Sequence, residues 1–114
     1  MSTAVQGQAG EIVSHNPATG EEVGRVHINS ADEVNSVVDR SRQAFASWRQ
    51  TSFAERGRLV MAARQVILSD IDGIAHLISR ESGKPFGEAI SMEIAPVLDL
   101  MQHFARGAKK LLAP

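Results

Sequence analysis

The chain of 114 residues contains no cysteine, which excludes a disulfide framework, a thiolate zinc site and a cysteine nucleophile within it. Tyrosine is also absent, and Trp48 and four phenylalanines are the whole aromatic complement. So few rings leave no stacking platform for single-stranded nucleic acid. Charge of one sign is lacking too: 12 Lys and Arg against 13 Asp and Glu give a formal net charge of −1. No field of that size recruits nucleic acid or an anionic membrane. No apolar run approaches the ~20 residues that span a bilayer, and no basic start leads into an apolar core. These absences fit a soluble, unexported chain in the cytoplasm, with no nucleic-acid or membrane partner.

What is present is helical patterning in a chain that is 43% hydrophobic, enough for one domain at most. A chain of this length buries roughly two-thirds of its unfolded surface. Residues 1–10, small and polar, read as a flexible tail. Two short strands are expected at Glu11–His15 and Glu21–Ile28. Between them, Asn16-Pro17-Ala18-Thr19-Gly20 is a turn in which Pro17 fixes one dihedral and Gly20 supplies a positive φ. The second strand alternates poorly, because Val23 points opposite to Val26 and Ile28.

Ser30-Ala31-Asp32-Glu33 has the form of a capping box and opens a helix with Val34, Val37, Val38, Ser41, Phe45 and Trp48 on one stripe. Ser52-Phe53-Ala54-Glu55 repeats the box. From Phe53, apolar residues recur at three- and four-residue steps through Leu59, Val60, Ala63, Val66 and Ile67, then through Ile74, Leu77 and Ile78. A polar break at Ser69–Asp72 divides this run. Gly83 is suited to a left-handed helix cap and Pro85 to the first turn of the next helix. That helix is expected over about 85–112, with Ile90, Ile94, Val97, Met101, Phe104, Ala108 and Leu111 on its apolar stripe, Leu98, Ala105 and Leu112 widening it, and a bend at Pro96.

Few of these residues suggest chemistry. Asp99 and His103 stand four apart on a helix, but metal sites need three or four ligands, so a solvated helix surface explains the pair. Gly83-Lys84-Pro85-Phe86-Gly87 is glycine-rich, yet it lacks P-loop or dinucleotide spacing and no strand leads into it. A helix-to-helix corner accounts for it. Arg106, Lys109 and Lys110 complement a helix C-terminus. Glu81, Glu88 and Glu93 have no nucleophile or perturbing cation evident beside them and read as surface or structural carboxylates.

Taken in order, these segments form a set. Asn16-Pro17-Ala18-Thr19-Gly20-Glu21, Val23-Gly24-Arg25-Val26 and Ser30-Ala31-Asp32-Glu33-Val34 come first. Ala44-Phe45-Ala46-Ser47-Trp48 and Ala54-Glu55-Arg56 follow, and then Glu81-Ser82-Gly83-Lys84-Pro85, Glu88-Ala89 and Glu93. The set resembles the N-terminal segment of the NAD(P)-dependent aldehyde dehydrogenases and covers nearly everything after residue 10. The resemblance implies a mostly α fold with a small N-terminal β-hairpin, residues 11–114 being the first part of an α/β aldehyde dehydrogenase-like domain without its complete cofactor domain. The parent activity it implies is oxidation of an aldehyde to a carboxylic acid with NAD or NADP, through a cysteine thiolate and a glutamate-assisted water that lie later in such enzymes.

Carried over residue by residue, the resemblance assigns no catalytic, cofactor-binding or metal-binding residue here. Only the helix over residues 94–104 matches a family element beside the aldehyde entrance, which marks Pro96 and Leu100 as tunnel-lining candidates. The chain is therefore expected to be structural and inactive alone, to bind no cofactor, and to bury its apolar faces against the rest of a dehydrogenase or against itself. The competing reading is a stand-alone helical module that binds a partner through those faces.

Overall fold

A computed structural model describes residues 10–112. They fall into two compact units, one holding residues up to Gln50 together with Arg80–Gly83, the other Thr51–Ser79 and the residues from Lys84 on. The expected tail lies almost wholly outside the described residues.

The first unit opens with strands β1 (Glu11–His15) and β2 (Glu22–His27), paired antiparallel. The register runs from Glu11 opposite His27 to Ser14 opposite Gly24, then slips so that His15 faces Glu22. Val23 is left over as a β-bulge. An extra residue inverts the in–out phase of a strand, and this is the physical reason for the poor alternation of Val23 with Val26 and Ile28. The hairpin turn is built by Asn16, whose Oδ1 accepts from the amides of Ala18 (2.9 Å) and Thr19 (3.4 Å). Gly20 has φ 77° and donates its amide to the Asn16 carbonyl. Arg25 clasps Glu22 with Nε and NH2 at 2.9 and 2.7 Å and reaches Glu11 with NH1 at 2.9 Å. The Arg25 hydrogen bonds to Glu22 hold its carboxyl below its usual range.

Helix α1 (Ala31–Trp48) begins at a complete capping box. The Ser30 hydroxyl accepts from the Glu33 amide at 3.3 Å, and the Glu33 carboxylate accepts from the Ser30 amide at 2.7 Å. None of the residues of α1 is buried, and Val34, Val37, Val38, Phe45 and Trp48 all stay exposed.

The second unit packs α2 (Phe53–Ser69) against α5 (Ala95–Leu112), with most of α3 (Ile71–Ser82) beside them. Its core is small: Ala75, Ala89, Ile94 and Leu98 are buried, and Ile67, Leu68, Ile71, Ile74, Ile78 and Ile90 pack around them. At the start of α2 only half of the second capping box forms. The Ser52 hydroxyl accepts from the Glu55 amide at 3.1 Å, while the Glu55 carboxylate lies 3.7 Å from Arg58. The break at Ser69–Asp72 is real but tight, since Asp70 alone separates α2 from α3.

The long helix expected over 85–112 is present as an unbroken helical run from Phe86 to Leu112, but it is not α-helical throughout. Pro85 takes the N-cap position rather than the first turn, and a three-residue α4 (Phe86–Glu88) runs into a π-helical turn at Ala89–Ile94. α5 starts at Ala95, which makes Pro96 its second residue. The helical run does not break there, since Ala95 has φ −59° and ψ −46°, so Pro96 lies in a helix interior and its missing N–H falls directly after the π turn. The irregularity expected at Pro96 is found as the π turn just upstream. Among the described residues, no helix is long and apolar enough to cross a membrane.

Candidate functional site

Pro96 and Leu100, the two tunnel candidates, lie one helical turn apart on α5, and both are exposed. Leu100 is 53% accessible, and the same side of the helix carries Val97, Phe104 and Leu111, all exposed. α5 therefore has two apolar faces. One, containing Leu98, is buried against the core; the other, containing Leu100, is uncovered. The expected stripe mixes the two, because it takes Val97, Phe104 and Leu111 from the exposed face and Ile94 from the buried one.

Polar groups near this face are sparse. Asp99, Gln102, His103, Arg106 and Gly107 line a shallow depression on α5. No group of three or more His, Cys, Asp or Glu suited to a metal ion occurs among the described residues, so Asp99 and His103 gain no third ligand. The His103 ring stacks edge-on with Phe104 at 5.2 Å. Glu93 pairs with Lys84, a structural role for a carboxylate that had no evident partner in the sequence.

The glycine-rich corner joins α3 to α4, helix to helix, as the sequence indicates. Gly83 has φ 73°, and a Cβ placed there would stand 2.7 Å from Cγ of Pro17, so ring atoms already occupy the space beside its backbone. Gly87 lies in the first turn of the helical run that begins at Phe86. Across the corner His76 and Phe86 stack with ring centres 4.5 Å apart.

Three residues that position α5 were missed. Gly57 of α2 is buried where the two backbones come together: a Cβ on it would lie 2.6 Å from the Ala105 carbonyl oxygen. Arg64 donates its Nε to the Leu98 carbonyl at 3.0 Å. Ala89 is completely buried inside the π turn. A glycine and an arginine inside the Phe53 helix were the available signals. An interior glycine weakens a helix and often has a packing reason.

The model of the aldehyde dehydrogenase family matches residues 4–113. The chain belongs to the aldehyde dehydrogenase family. Similar curated proteins include the D-glyceraldehyde dehydrogenase (NADP(+)) of Thermoplasma acidophilum, 31% identical over 94% of this chain and 22% of its own length. The betaine aldehyde dehydrogenase of Vibrio vulnificus is 37% identical over 87% of the chain and 21% of its own length. The N-succinylglutamate 5-semialdehyde dehydrogenase of Novosphingobium aromaticivorans is 44% identical over 69% and 16%. The chain thus spans about a fifth of the length of these aldehyde dehydrogenases. The mostly helical fold with an antiparallel hairpin agrees with a partial aldehyde dehydrogenase domain.

Proposed function

We propose that these residues serve as the N-terminal structural segment of an enzyme that oxidises an aldehyde to a carboxylic acid with NAD or NADP. The family match over residues 4–113 carries this reading. The segment supplies no reacting group. Thiolate addition to the carbonyl needs a cysteine, and the chain has none. At Gly83 the Pro17 ring already stands beside the backbone where a ligand would have to approach.

Its contribution is a set of faces. The exposed apolar side of α1 and that of α5 are each a face made to be covered, and the rest of the dehydrogenase polypeptide is the natural cover. On α5 we assign Pro96 and Leu100 to the wall of the aldehyde entrance, an assignment that rests on the resemblance and on both residues being exposed.

Two measurements test this. The purified 114-residue chain is expected to reduce neither NAD nor NADP with a panel of aldehydes, and to show no saturable cofactor binding by calorimetry. Turnover that follows the chain through two unrelated columns would overturn the structural reading. In the complete enzyme, Leu100→Trp is expected to reorder aldehydes by kcat/KM. An equal effect on every aldehyde would remove Leu100 from the entrance.

A further inference from the structure

The π turn poses a question of register. The buried residues Ala89 and Ile94 are five apart, whereas Ile94 and Leu98 are four apart. In an unbroken α-helix, positions five apart lie about 140° apart around the axis, so Ala89 and Ile94 would not share a face. The wider turn brings both into the core, and its closing bond is the Ala95 amide to the Ile90 carbonyl, a five-residue step.

The alternative is an all-α register, in which the Ala95 amide would bond the Ser91 carbonyl. One residue fewer in the turn would hand the core-facing positions of Ile94 and Leu98 to Glu93 and Val97. The sequence opposes this at two points. Pro96 is helix-interior in either register, but in the all-α one its ring would clash with the Met92 carbonyl four residues back, a clash that the wider turn relieves. Glu93 would leave Lys84, its present partner, and bring a carboxylate toward the apolar core.

We propose that Pro96 and Glu93 are two independent locks that select the π register and thereby decide which apolar face of α5 is buried. In this account Pro96 is a positioning residue whether or not it touches an aldehyde, because it acts through the phase of α5. The inference stands apart from the tunnel assignment.

The absence of cysteine makes a direct test available, since a single introduced thiol reports only its own position. Thiol labelling follows exposure, so in the full chain Val97→Cys is expected to react with a maleimide on the order of tenfold faster than Leu98→Cys. Position 97 is 49% accessible and position 98 only 5%. With Pro96→Ala alone, or Glu93→Leu alone, this order should persist, because one lock remains. With both substitutions the order should invert, position 98 reacting faster than position 97.

Inversion with Pro96→Ala alone would eliminate the Glu93 lock. An unchanged order in the double variant would show that neither residue selects the register. Equal rates at the two positions in the double variant would mean that the segment melts instead of re-registering, and would equally overturn the proposal.

Discussion

Gly57→Ala is a substitution for which two physical rules predict opposite signs. In an isolated helix, alanine is better than glycine by up to about 1 kcal/mol. In this chain the new Cβ would meet the Ala105 carbonyl oxygen at 2.6 Å, below the 3.0 Å that real Cβ contacts respect. The obstacle is backbone, so no side chain can swing aside, and α2 and α5 must part by at least 0.4 Å, the difference between those distances. Overpacking of this kind costs about 1–3 kcal/mol, so after the helix gain the net expectation is a destabilisation of about 1 kcal/mol. For a domain of this size that corresponds to a fall of roughly 4–8 °C in Tm. Gly107→Ala is the matched control: it sits within α5, its Cβ would meet only Leu111 Cδ1 at 3.8 Å, and it should stabilise by about 0.5–1 kcal/mol. Urea and thermal unfolding followed by circular dichroism at matched protein concentration give both signs. If Gly57→Ala raises Tm as Gly107→Ala does, the close approach of α2 and α5 is wrong.

Four further outcomes are expected. Gly83→Ala should destabilise by about 1–2 kcal/mol from the left-handed backbone alone, with the Pro17 contact adding to it, measured by urea unfolding. Ser30→Ala should cost about 1 kcal/mol at neutral pH. The Ser30 amide and, after it, the Ser30 hydroxyl hold the folded Glu33 carboxyl below its ordinary 4.5, so the stabilisation from this group is present above that pH and is lost as pH falls through the lower folded value; Ser30→Ala removes the hydroxyl's share of it. The deficit of Ser30→Ala should therefore shrink in acid, and a deficit that grows there would contradict the box. Ser79→Ala should be neutral or stabilise by up to about 1 kcal/mol, because the Ser79 hydroxyl is buried with no hydrogen-bond partner among the described residues; a loss of 2 kcal/mol in the same unfolding assay would reveal a partner. The purified chain should self-associate through its uncovered faces, and Phe45→Glu should shift it toward monomer in sedimentation or light scattering; an unchanged mass distribution would clear the α1 face.

Much of this architecture was legible because it is governed by local rules. Asn16 and Gly20 define a turn from within five residues, Ser30 and Glu33 close their box from within four, and Gly83 caps a helix by its own backbone freedom. What escaped depends on the meeting of distant segments. Glu55 has the right type and spacing for a second box, yet its carboxylate lies toward Arg58 instead. Gly57 looks like a helix weakness until Ala105 is placed against it. Pro96 announces an irregularity, but that it takes the form of a π turn upstream is seen only once Ala89, Ile94 and Leu98 are placed in one core. The apolar stripe of the last helix was misphased for the same reason: a 3.6-residue period applied across a π turn carries one face into the other. At the candidate site, the chemistry excluded by composition needed no structure, whereas the exposure of Leu100 could not be read from a wholly apolar arc.

The contact of Pro17 with Gly83 joins two signatures that sequence comparison treats separately, the hairpin turn and the Gly-Lys-Pro corner, across 66 positions of chain (83 minus 17). Each then limits what the other tolerates. A side chain at position 83 would have to be matched by a smaller residue at position 17, so the two should vary together among relatives rather than drift independently. The same closure carries a kinetic implication. The hairpin and the helices form from neighbours, but this joint must wait for a long loop to close, and the entropy of that closure places it late in folding. Substitutions at Pro17 or Gly83 should accordingly speed unfolding far more than they slow folding.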